Sequence, residues 1–85
     1  MSLVEQVIAA VMGTQRQIDE NLNQLRAYSR QIDNVIARVN ETLSGSQREF
    51  GQNMLQQLEK TKAQVNQTIN RLEAAKHKLT QVRTI

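Results

Sequence analysis

The single histidine, His77, stands between Lys76 and Lys78 in a chain with no cysteine. A protein metal site needs three or four His, Cys, Asp or Glu donors brought together, so His77 is expected to be a solvated helix residue. Asp19 and Glu20 carry acid and base chemistry in principle. They lie at helical spacing from Arg16 and Gln24, however, which is the pattern of ordinary surface pairing. No nucleophile has a base placed to activate it, and no Gly-rich phosphate loop occurs. Asn40-Glu41-Thr42 and Asn66-Gln67-Thr68 match the glycosylation sequon, a match that arises by chance in a chain with this much Asn and Thr. The expectation is a protein that is not an enzyme and uses no metal or cofactor.

Composition narrows the remaining classes. The 85 residues include no Pro, Cys or Trp, one Tyr and one Phe, which leaves room for one domain and excludes disulfide scaffolds and aromatic-rich cores. The formal charge of +3 is unevenly placed. Residues 1–43 hold four Arg against five acids, and residues 44–85 hold seven Lys and Arg against three acids. This mild tilt forms no basic stripe, and aromatic rings for base stacking are almost absent, so nucleic acid is not the expected partner. No apolar run approaches a membrane span. The first residues, from Met1 to Met12, are apolar, but they lack a basic leader and are interrupted by Glu5 and Gln6, so no signal peptide is expected.

Two elements account for nearly all of the chain. Stepping alternately four and three residues from Val4 gives Ile8, Val11, Gln15, Ile18, Leu22, Leu25, Ser29, Ile32, Ile36, Val39 and Leu43, a seam that is aliphatic except at Gln15 and Ser29. Only a helix packed lengthwise against another helix carries this rhythm. A second seam runs through Gly51, Met54, Leu58, Thr61, Val65, Thr68, Leu72, Ala75, Leu79 and Val82. Its small members Thr61, Thr68 and Ala75 occupy alternate seats, suited to receiving bulky side chains from a neighbour.

The break between the seams has specific turn chemistry. Gly45 suits the left-handed position that ends a helix, and Ser46-Gln47-Arg48-Glu49 forms a capping box that starts the next one. The same box appears at Ser2-Leu3-Val4-Glu5. These signals predict an all-α, coiled-coil-like antiparallel hairpin spanning residues 1–85 as one domain: helix one at 3–43, a turn at 44–46 and helix two at 47–83. Facing residues should have numbers that sum to about 93, which places Gln15 near Leu79 and Ser29 near Val65. Polar seam seats of this kind either fix register or are partly solvated, and the second is the expectation here.

Two helices cannot enclose two seams, so further apolar surface should be buried in an assembly, a four-helix or larger bundle. The residues available for that second contact are Val7, Tyr28 and Val35 on one heptad line, Leu3 at the chain start, and Leu55 and Ile69 on a line of helix two. Each could also serve as a broadened core edge. Together they predict either a homodimer or a complex with another helical protein.

The segment from Leu43 to Phe50, between two long helices, resembles the turn of the WXG-motif superfamily, the small early-secreted-antigen-like proteins of type VII secretion. Gly45 stands at the motif Gly, Leu43 at the Trp position, and Phe50 one residue closer than the usual aromatic. The Tyr-x-x-x-Asp/Glu export signal of many members has no counterpart, since Tyr28 is followed four residues later by Ile32. The chain looks similar to divergent Gram-positive relatives that associate with the helical LXG domains of secreted toxins. The resemblance implies a chaperone or targeting partner, cytoplasmic before export, leaving by a route without a signal peptide. The alternative is a self-assembling coiled-coil homodimer or a hairpin of a secretion apparatus. A basic nucleic-acid accessory protein is a third, weaker class.

Overall fold

A computed structural model describes residues 2–42 and 48–83. They form two helices, α1 (Leu3–Thr42) and α2 (Arg48–Arg83), packed side by side as an all-α hairpin of 68 × 14 × 13 Å. The sequence expectation places helix one at 3–43 and helix two at 47–83, so its two inner bounds fall outside the described residues. Leu43, Gly45 and Ser46, which carry the expected turn, lie outside the described residues.

Both helices are built from good helix formers and contain no proline. At the start of α1 the Glu5 N–H donates to Ser2 Oγ at 3.1 Å and the Gln6 N–H donates to the Ser2 carbonyl at 3.0 Å, so Ser2 is the N-cap its sequence implies. Threonines inside the helices turn their hydroxyls back to the carbonyl four residues earlier, as Thr61 does to Gln57 at 2.9 Å and Thr68 to Gln64 at 3.0 Å.

Gly13 serves no packing purpose. A Cβ added there would meet nothing within 4 Å. Gly13→Ala should therefore stabilise the hairpin by about 0.5 to 1 kcal/mol, because Ala loses less backbone entropy in a helix. The check is a thermal melt followed by circular dichroism, and an unchanged or lower midpoint would contradict it.

The core is narrow. Among the described residues Ile18, Leu22 and Ile32 are its buried apolar side chains, and Leu22, at 2% exposure, is the most enclosed of them. Gln15 is buried beside them at 8% exposure. Of the expected α2 seam, Gly51 is buried and Leu58, Thr61, Val65, Leu72, Ala75 and Leu79 are half-buried, while Met54, Thr68 and Val82 are exposed. Leu55 and Ile69, outside that seam, are half-buried too, so the expected seam is corrected in its rotation. With Leu58, Val65, Leu72 and Leu79 taken as heptad position a, α2 turns its a and e lines toward α1, with the d line to one side. Leu55 and Ile69, on the e line, offer more apolar surface to bury than Thr61 and Thr68 on the d line.

A second correction concerns the open end. Among the described residues α1 runs about two turns past Arg83. Val4 and Ile8 are seam residues by spacing, yet both are exposed, since among the described residues only the end of α2, at Val82 and Arg83, lies near them.

Candidate interaction edge

Heptad positions sort the surface of the hairpin into two unlike edges. With Val4 as d and Ile8 as a, Asp19, Arg26 and Asp33 fall on the e line of α1. Lys62 and Lys76 fall on the e line of α2, with Asn66, Glu73 and Thr80 on the adjoining b line. In an antiparallel pair the e lines meet along one edge.

That edge is laced with polar contacts. Lys62 pairs with Asp33, Lys76 Nζ lies 2.6 Å from Asp19 Oδ1, and Arg26 Nη2 lies 2.5 Å from Glu73 Oε1. Ser29 Oγ donates to Asn66 Oδ1 at 3.4 Å. The Gln15 amide is used at both ends: Nε2 donates to Thr80 Oγ1 at 3.0 Å, and Oε1 accepts from Arg83 Nη1 at 3.0 Å. Gln15 is thus a paired, register-setting group, against the expectation of a solvated seam seat. The partners of Gln15 and Ser29 are each one residue from those expected.

The pairs Gln15–Thr80, Asp19–Lys76, Ser29–Asn66 and Asp33–Lys62 all have numbers that sum to about 95, which keeps one register along most of the hairpin. The charged groups in these ion pairs are a third to a half exposed, so each pair contributes only about 0 to 1 kcal/mol. Their consequence is positional: this edge is already satisfied by the chain itself.

The other edge is different. Val7, Tyr28 and Val35 occupy the g line of α1, about 160° around the helix from Asp19 and Asp33. All three are exposed. Across from them α2 presents its d line, with Met54 and Val82 exposed at its two ends and Thr61, Thr68 and Ala75 between. Because the hydroxyls of Thr61 and Thr68 are bonded within their own helix, these residues demand no polar partner.

Apolar grooves mark both ends of this edge. At the turn end, Val35, Val39, Thr42, Phe50 and Met54 line one groove together with Arg38. At the open end, Leu3, Val4, Val7, Ile8, Val11 and Val82 line a second, together with Arg83. The turn-end groove joins g and d residues of both helices, which places those lines on one edge.

Of the residues singled out from sequence, the structure brings Leu3, Val7, Tyr28, Val35 and Phe50 to the open edge. It does not bring Leu55 and Ile69 there; both are half-buried on the line that carries Lys62 and Lys76. Sequence reasoning missed Met54 and Val82 as open-edge residues, since their seam spacing marked them as core. His77 is exposed, with Nε2 3.4 Å from Gln81 Nε2. Among the described residues no group of three or more His, Cys, Asp or Glu could hold a metal ion, and no helix is long and apolar enough to cross a membrane.

Comparison with protein-family models, curated proteins and solved structures finds no match for this chain.

Proposed function

We propose that this chain is a non-enzymatic binding protein that supplies two helices to a bundle completed by another helical protein. The observation that carries the reading is the contrast between edges: one is closed by the chain's own polar pairs, and the other leaves Val7, Tyr28, Val35, Met54 and Val82 uncovered. A row of apolar groups along a helix pair is the surface that a third helix buries. The narrow core gives the same direction, because few side chains among the described residues are enclosed in the hairpin alone.

The setting in type VII secretion rests on the resemblance of residues 43–50 to the WXG superfamily turn. In that setting the chain is an escort or targeting factor for an LXG-type effector, held in the cytoplasm before the pair is exported. The open edge supports the partner-binding half of this reading.

Light scattering over a wide concentration range, with circular dichroism on the same samples, tests it. The expected result is a monomer of reduced helicity that gains helix when a helical LXG domain is added. A stable, strongly helical dimer at every concentration would overturn the escort reading in favour of self-assembly.

A further inference from the structure

Charge on the open edge selects the kind of helix that fits it. The open edge and the outer face beside it take the c and g lines of α1 and the c, d and g lines of α2, and no Asp or Glu occupies any of them: all eight acids of the chain fall on the b, e and f lines. The same sector holds Arg38, Lys60, Arg71 and Lys78, each exposed and none ion-paired among the described residues. They border the apolar row along most of its length.

From this arrangement we infer that the open edge receives an amphipathic helix of a different protein, one whose apolar seam is flanked by Asp and Glu. The inference rests on the proposed binding function and specifies the partner. Acidic flanks would meet Lys60, Arg71 and Lys78 on the α2 side and Arg38 at the turn end. A second copy of this chain is disfavoured at the same edge, since two such edges face each other with cations on both and acids on neither. The separation of Val7 and Val35 corresponds to about 42 Å of helix, so a partner helix filling both grooves needs about 28 residues.

The test uses the full chain and two synthetic helices of about 28 residues, each with Leu at a and d, one with Glu and the other with Lys at e and g. The expected result is that the Glu peptide binds about ten-fold or more tightly than the Lys peptide at low salt, with the gap narrowing as salt rises. Lys60→Glu/Arg71→Glu/Lys78→Glu, three exposed changes, should keep its helicity and reverse the preference.

Equal binding of both peptides would overturn the charge inference and leave the binding edge standing. Binding of neither would overturn the edge itself. Dimerisation of the chain that is lost on Val35→Glu would show that a second copy occupies the edge. Tighter binding to phosphatidylcholine vesicles containing about one-third phosphatidylglycerol than to the Glu peptide would overturn it in favour of an anionic membrane surface.

Discussion

Leu22→Ala should cost the hairpin about 2 to 5 kcal/mol, the range for removing an enclosed aliphatic side chain whose site cannot fully collapse. Among the described residues Leu22 is the most enclosed apolar side chain, and its buried apolar companions are Ile18 and Ile32. A loss of that size exceeds what a two-helix core this narrow can absorb. In thermal and urea unfolding followed by circular dichroism, the variant should lose its cooperative transition. A midpoint within about 1 °C of the parent would show that Leu22 contributes little and that the hairpin is held by other contacts. Leu25→Ala, half-buried on the same helix, should have a clearly smaller effect.

The second large effect is on binding. Tyr28→Glu/Val35→Glu should weaken capture of a helical partner by about a hundred-fold or more, because two anchors of the open edge become charged groups that a docked helix would desolvate. Helicity of the isolated chain should be unchanged, since Tyr28 is 48% and Val35 41% exposed. Ile69→Glu should behave in the opposite way, lowering helicity in the free chain, because Ile69 is half-buried on the closed edge. Titration calorimetry against the Glu-flanked peptide, with circular dichroism of each free variant, separates the two cases. Equal loss of helicity in all the variants would mean that both edges belong to one core and that no binding edge is free.

The contrast between Val35 and Ile69 shows where sequence reading stops. Both are β-branched residues beside a seam, and by spacing both are equally good candidates for an outer contact. Heptad spacing places them relative to their own helix but leaves the rotation of one helix against the other open. That rotation depends on which arrangement buries more apolar surface, and here Leu55 and Ile69 outweigh Thr61 and Thr68. The same rotation moved Met54 and Val82 from expected core seats to the open edge.

Gln15 shows a second limit. Its place in the seam was plain from the spacing, but a polar seam residue is either solvated or paired depending on atoms about 65 residues away in sequence. Thr80 and Arg83 supply both partners, which no local pattern announces. The confinement of acids to three heptad lines, in contrast, was present in the sequence throughout. It acquires meaning only once one of the two edges is seen to be closed.

Sequence alone determined the two helices, the Ser2 cap, the antiparallel hairpin and the approximate register, because 4-3 spacing, capping residues and a short break are local properties of the chain. Tertiary structure decided which lines face inward, which polar groups find partners and which edge remains uncovered. Those outcomes depend on how two rods rotate to bury their larger side chains, a choice made between helices and encoded in neither one separately.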